Sequence, residues 1–340
     1  MMKDDGLKGK RILLSHGDGG ALTRKLIEEI FYKKFYNDIL IKDQDAALLP
    51  ACDRPIAMTT DSFIVKPIFF PGGDIGKLAV CGTVNDLAVS GAEAKFITTA
   101  FIIEEGFKME DLAQIVDSMW QTARECGLTI VSGDTKVVEK GSIDGIFINT
   151  TGIGVLPAGV NLGFQQIKPG DKIIISGNIG EHGVAVMASR EGFSINLSSD
   201  CAPLNRITQS ILKNSQGVKF MRDPTRGGVA STLKEIAISS HNVDFCINEE
   251  NLPISQEVNT VCQLLGYDPL YLANEGKILA FVAPEECEKI ISLMKELPYG
   301  ENTCCIGEVQ EGKGDVLLKT IIGGTRKLNL LSGISLPRIC

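Results

Sequence analysis

Five aspartates in this 340-residue chain fall where a turn beside a strand or helix would expose a carboxylate. They are Asp45 in DQDAALL, Asp61 in TTDSF, Asp86 in VNDLA, Asp134 in SGDTKVV and Asp223 in RDPTRGG. Carboxylates gathered without cations repel one another, and their pKa values rise. Mg2+ relieves that crowding, because it takes one or two carboxylates per ion together with phosphate oxygens and water. Taken singly, each Asp reads as a helix or turn cap; taken together, they point to a metal. RDPTRGG adds Arg226 and two glycines ahead of an expected helix, where free N–H groups and the helix dipole favour an anion. Arg226 reads equally as a surface ion pair. Lys136, just after an expected strand, either neutralises a phosphoryl group in transfer or lies in solvent.

Candidate bases and nucleophiles are few. Glu275 in YLANEGKILAF precedes a glycine and an apolar strand. It is either a turn carboxylate or a partly desolvated base. His182 in GEHGVAVM opens an expected helix, as a structural or a catalytic imidazole. His16 and His241 are too far away in sequence to form a metal-ligand pattern with it. The sequence closes on SLPRIC, and Cys340 either idles at a terminus or works as a bare thiol. A prenylation signal would place its Cys four residues from the end.

Positioning these residues requires alternating elements. Leu22, Leu26, Ile30 and Phe31 have helical spacing after the glycine-rich SHGDGG segment. IAMTTDSFIV reads as a strand, residues 75–90 as a helix and KFITTAFII as a strand. Residues 110–126 carry an apolar stripe of Leu112, Ile115, Val116, Met119, Trp120 and Ala123, closed by Gly127 as a C-cap. LTIVSGD and GIFINTTGIGVL follow as strands. After the Pro/Gly-rich PAGVNLGFQQIKPGD, a second alternation begins at KIIISG. It continues through helices near 181–190, 203–213, 228–239, 255–265 and 284–296, with strands VDFCI, KILAFVA and CCIGEV. Both halves are therefore mixed α/β. The expected division is 1–157, 158–322 and a mobile tail over 323–340.

Composition narrows the class. Lys and Arg number 34 against 42 Asp and Glu, a net charge of −8 with no basic run, so the overall field opposes nucleic acid. No segment reaches the roughly 20 apolar residues of a membrane span, and Ile12–Leu14 is too short for a signal-peptide core; a cytoplasmic protein is expected. The 10 cysteines form no C-x-x-C pair, which argues against a zinc or dithiol redox site. P-loop and G-x-G-x-x-G nucleotide motifs are absent.

The motifs then assemble in a known order. DSFIVKPIFFPGGDIGKLAVCGTVNDLAVSGA, SGDTKVVEKG, FINTTGIG, GEHGVAVM, RDPTRGGV, LANEGK and PRIC, spread over nearly the whole chain, resemble the HypE family of hydrogenase maturation factors. More distantly they resemble the superfamily of aminoimidazole ribonucleotide synthetase PurM and selenophosphate synthetase SelD. Where that superfamily often has adjacent aspartates before Ala-Ala, this chain has Gln44-Asp45, so a metal role carries over to Asp45 and not to Asp43.

The resemblance implies a PurM-like two-domain α/β fold. The N-terminal domain would form a β-barrel with a second subunit in a homodimer. It implies ATP and Mg2+ in a cleft, with Asp45, Asp61, Asp86 and Asp223 at the metal. Asn85, Asp134, Thr135, Lys136 and Arg226 would lie about the nucleotide. It implies that HypF carbamoylates the Cys340 sulfur, that the chain dehydrates this group to a thiocyanate with Glu275 as base and His182 in reserve, and that a HypC–HypD complex receives the cyanide. Two rivals stay open: another ATP-dependent synthetase or kinase of the superfamily, and a non-catalytic ATP-binding scaffold. The SelD-type alternative usually has a reactive Cys or selenocysteine in the N-terminal glycine-rich loop, and SHGDGG has none.

Overall fold

The computed structural model describes residues 7–42, 46–240 and 242–331. Residues 21–35 are helical, α1 (Ala21–Leu26) running through a π-helical stretch (Ile27–Tyr32) into α2 (Lys33–Phe35). A four-stranded sheet follows, built from β1 (Ile56–Phe63), β4 (Glu93–Glu104), β5 (Thr129–Val138) and β6 (Ile146–Val155) in the order β1-β6-β4-β5. A short ribbon of β2 (Phe69–Phe70) and β3 (Gly73–Asp74) leads into helix α3 (Ile75–Val89). Asp74 caps that helix, accepting from the Gly76 and Lys77 N–H groups at 2.7 and 3.1 Å.

Helix α4 (Met109–Cys126) ends at Gly127 in the left-handed conformation, and its Leu112, Ile115, Val116 and Met119 are fully buried. Period-two alternation sends Phe63, Ile97, Phe101, Ile146 and Ile148 to the helix side of the sheet. The opposite face is left open. Met58 is 69% and Ile102 41% exposed there, beside half-buried Phe96 and Phe147.

The second half forms a seven-stranded sheet, order β13-β12-β9-β11-β7-β10-β8. Its strands are β7 (Lys172–Ile175), β8 (Val218–Arg222), β9 (Val243–Asn248), β10 (Leu279–Val282), β11 (Cys304–Glu311), β12 (Val316–Lys319) and β13 (Thr325–Leu328). Its helices are α5 (Glu181–Glu191), α6 (Asn205–Asn214), α7 (Gly228–Ser240), α8 (Gln256–Leu265) and α9 (Cys287–Lys295). The central strands are apolar on both faces. Ile173, Ile175, Leu279 and Phe281 join a core with Val229 and Leu233 of α7. Ile174, Ala280 and Val282 join another with Ile207, Ile211, Ile290 and Met294 of α6 and α9. A sheet sandwiched between helices needs such continuous apolar strands.

The halves also share a core. Val184 and Met187 of α5 and Val258 and Val261 of α8 pack in the same cluster as α3 and α4 of the first half. Helix α5 therefore carries His182 into the junction between the two halves. Residues 325–328, read from sequence as the start of a mobile tail, instead pair antiparallel with β12, and Leu328 is buried. The four-residue strand is too short and too charged to show a period. Among the described residues, no helix is long and apolar enough to cross a membrane.

Candidate functional site

Asp61, Asp86 and Asp223 lie near enough for each to feel the others' charge. Asp61 lies within β1 and Asp86 near the end of α3, so neither stands at a strand end or helix start as the sequence suggests. Strand and helix periodicity bring them together instead. Thr59 and Asp61, two residues apart, share the β1 face turned to α3, and the Thr59 hydroxyl donates to Asp86 Oδ2 at 2.7 Å. Burial, repulsion from Asp86 and a hydrogen bond to its carboxyl push Asp61 up to about 6, against a counteracting pull from Arg226. Asp223, just after β8, is pushed up to about 7 by burial and by the charges of Asp86 and Asp61. Arg226 is exposed beside this trio.

These hard oxygen donors, crowded with too little positive charge, suit Mg2+. Among the described residues no three His, Cys, Asp or Glu side chains are already gathered as a metal cage. Mg2+ requires none, since it retains several waters and takes one or two carboxylates with phosphate oxygens. Asp45, the remaining expected ligand, lies outside the described residues, as do His241 and Cys340.

The glycines of RDPTRGG have a packing task in addition to any anion binding. Gly227 and Gly228 both have positive φ, and a Cβ on Gly228 would stand 2.5 Å from the Leu272 carbonyl oxygen. The loop is thereby pressed against the segment that carries Glu275. Asn274 completes the join: its Nδ2 donates to the Pro224 carbonyl at 2.9 Å, and its Oδ1 accepts from the Gly180 N–H at 2.7 Å. Pro224 is the neighbour of Asp223, and Gly180 starts the helix of His182.

Asn85 does the same from the other side. Its buried Nδ2 donates to the carbonyls of Ala202 and Glu275 at 3.0 and 3.2 Å, and its Oδ1 accepts from the Leu204 N–H at 2.9 Å. Both amide donors are thus engaged within the protein, which gives Asn85 a fastening task where the sequence suggests nucleotide contact. Its neighbour is Asp86. Glu275, itself buried, is therefore bound through flanking backbone to both arms of the acidic trio.

His182 is fully buried, edge-on to Phe70 at 5.5 Å between ring centroids. Its Nδ1 lies 2.8 Å from Ser199 Oγ, which accepts from the Cys201 N–H at 3.0 Å. That environment suits a positioned imidazole at the junction of the halves.

Asp134, Thr135 and Lys136 stand apart from this cluster, within β5. Row by row across the sheet, Asp61 is level with Thr150, Thr150 with Thr99, and Thr99 with Gly133. Three strand spacings make that separation about 14 Å. The three residues line a cavity of about 440 Å³ with the Gly17–Gly19 loop, Thr23, Phe31 and Ala46, a volume within the usual range for small-molecule sites. Lys136 is mid-strand and exposed, 3.6 Å from Asp134.

Sequence reading missed Thr59, Asn274, Asp200 and Lys277. Lys277 lies within the quoted LANEGK motif, and its charge beside a buried strand was the available signal. Asp200, in SSDCAP, offered none, because its partners lie 75 residues away or more.

Comparison with known proteins follows the same division. The chain matches the N-terminal domain of AIR synthase related proteins over residues 43–156 and the C-terminal domain over 168–319. It is 46% identical to the carbamoyl dehydratase HypE of Cupriavidus necator over 339 residues, 98% of this chain and 96% of that protein. A crystal structure of hydrogenase maturation protein HypE in complex with ATP superposes with a TM-score of 0.93 at 43% identity, covering 96% of this chain and 99% of that one. A HypE chain from a HypE–HypF complex matches with a TM-score of 0.79 at 49% identity, covering 92% of this chain and 100% of that chain.

Proposed function

We propose, from the premise that this chain belongs to the HypE family within the AIR synthase related proteins, that it is a carbamoyl dehydratase of hydrogenase maturation, using ATP to convert an S-carbamoyl group on Cys340 into a thiocyanate. The observation that carries the reading is the fastening of Glu275 to the acidic trio, through Asn85 beside Asp86 and through Asn274 beside Asp223. The backbone of the proposed base is thereby fixed to the segments that carry carboxylates suited to phosphate-bound cations.

The overall change balances. Transfer of the terminal phosphoryl group to the carbamoyl oxygen gives an S-imidoyl phosphate, ADP and one proton. Loss of phosphate with the remaining N–H proton gives S–C≡N, and the oxygen departs in phosphate. A bare carbamoyl oxygen is a poor leaving group, so phosphorylation is what makes the elimination feasible. Such transfer needs mainly positioning and charge neutralisation. Lys136 and Arg226 would supply positive charge, Lys136 by turning from Asp134 towards the phosphates. Asp134 and Thr135 line the cavity that would take the nucleotide. Mg2+, held by Asp61, Asp86 and Asp223 with Asp45, would neutralise the phosphate oxygens when bound. Glu275 accepts the amide protons, with His182 as the reserve base. Burial of both side chains excludes water that would compete for the activated group.

The tether is long enough. Tyr271 Oη donates to the Asn329 carbonyl at 2.8 Å, which roots the segment leading to Cys340 four residues from Glu275 in sequence. The 11 residues from Asn329 to Cys340 reach about 36 Å when extended. HypF is the proposed carbamoyl donor, supported by the solved HypE–HypF complex, and a HypC–HypD complex is the proposed cyanide acceptor. The open face of the four-stranded sheet supports a homodimer in which two such sheets close an intersubunit barrel.

The test is single turnover on the carbamoylated chain with ATP and Mg2+. Glu275→Gln should keep the adduct and stall its dehydration, whereas His182→Gln should slow it less. Dehydration by Glu275→Gln at the wild-type rate would remove the base assignment.

A further inference from the structure

The carboxylate of Asp200 is wholly buried, yet it is not part of the acidic trio and no step above uses it. Its Oδ1 accepts from the Glu275 N–H at 3.1 Å and its Oδ2 from the Gly276 N–H at 3.2 Å. Lys277 Nζ stands 3.3 Å from the same Oδ2 and 3.9 Å from Glu181 Oε2. One side chain thus grips three consecutive residues of the Glu275 segment. Two charge-assisted bonds to backbone N–H groups and an ion pair, all in a dry site, are stronger than their neutral counterparts.

The segments lie backbone to backbone. A Cβ on Gly276 would fall 1.9 Å from the Asp200 carbonyl oxygen, so no side chain fits there. The Asp200 loop is itself anchored in the first half. The Ser199 N–H donates to the Pro71 carbonyl at 2.8 Å, and Asn85 holds the Ala202 carbonyl. Asp200 therefore ties the position of Glu275 to the half of the molecule that carries Asp61, Asp86 and Lys136.

We propose that Asp200, with Lys277 as its counter-ion, is a positioning residue that fixes the Glu275 backbone for proton abstraction. This rests on the reading of Glu275 as the base. Asp200→Asn keeps the volume but offers one acceptor oxygen where the carboxylate offers two, and it removes the charge that pairs with Lys277. The Glu275 backbone is then held by one N–H bond fewer, and a displacement of about 1 Å at a catalytic group is enough to lower a rate about 100-fold.

The experiment is single-turnover dehydration of the carbamoylated chain, in wild type, Asp200→Asn, Glu275→Gln and the double variant, with the folded fraction of each measured in parallel. The expected result for Asp200→Asn is a fall in the single-turnover rate constant of about 10- to 100-fold, an unchanged half-saturating ATP concentration and unimpaired carbamoylation of Cys340. In the Glu275→Gln background the same substitution should change the residual rate little, because the group it positions is gone. A single-turnover rate constant for Asp200→Asn that stays at the wild-type value, with only the amplitude following the folded fraction, or that falls equally in both backgrounds, overturns the proposal. Glu275→Gln dehydrating at the wild-type rate overturns the base reading instead, so the two failures are distinguishable. Should Asp200→Asn not fold, the same comparison with Lys277→Gln decides, with a smaller loss of the rate constant expected and the same dependence on Glu275.

Discussion

Asn85 donates its side-chain amide to the main-chain carbonyl of Glu275 at 3.2 Å, joining residues 190 positions apart. The same side chain closes on Ala202 and Leu204, so it is a buried cross-brace between the two halves. Asn85→Ala leaves the Ala202 carbonyl and the Leu204 N–H without their side-chain partner and the Glu275 carbonyl with the Ala202 N–H at 3.4 Å. Each such loss costs about 1–3 kcal/mol before relaxation, and the variant should lose about 2–4 kcal/mol of stability. Dehydration should slow while carbamoylation of Cys340 continues. Thermal unfolding with single-turnover kinetics checks this, and a variant as stable and as fast as wild type would contradict the brace.

The acidic trio predicts an unusual pH dependence. The folded chain raises Asp61 to about 6 and Asp223 to about 7 from an ordinary value of 3.8. Between those values the folded state binds more protons than the unfolded state, so this site loses stability as pH rises through the window. Asp223→Asn should therefore raise the Tm of the nucleotide-free protein at about pH 8 and leave it nearly unchanged at about pH 4. Mg2+ should stabilise the wild type more at the higher pH and release protons as it binds. Calorimetry in two buffers of different ionisation enthalpy reads both effects. A destabilised Asp223→Asn at about pH 8 would refute the crowding argument.

The open face of the first sheet predicts association. Met58 and Ile102 are exposed on it beside half-buried Phe96 and Phe147, a pattern that water does not favour. Met58→Glu places a charge on that face at little cost to the isolated fold. Sedimentation should show a dimer for wild type and a shift to monomer for the variant. An unshifted dimer would place the contact elsewhere.

Much of this organisation is legible in the residues themselves. The apolar stripe from Leu112 to Ala123 and the C-cap at Gly127 delimit α4 to within a residue, because an amphipathic helix and its stop are local features. The β1 residues Thr59, Asp61 and Phe63 share a face by simple alternation. Strands β8, β12 and β13 are not legible: at four or five residues, with Lys219, Arg222, Lys319, Arg326 and Lys327 among them, they have no period to read. Asp61 and Asp86 could be singled out by type, but the expectation that they stand at element ends fails, since it is strand and helix faces that align them. Asn85, Asn274 and Asp200 act through contacts spanning 50 to 190 residues. No local pattern announces such contacts, because they exist only once the two halves have packed.

The central claim is that Cys340 carries the reacting group, and intact-mass measurement of the chain tests it most directly. Incubation with HypF, carbamoyl phosphate and ATP should add one carbamoyl group, located on the peptide that contains Cys340. ATP with Mg2+ should then remove the elements of one water from that peptide and leave a thiocyanate. Cys340→Ala should show neither change. Carbamoylation and dehydration persisting in Cys340→Ala, or a wild-type adduct that never loses water when ATP is present, would contradict the account.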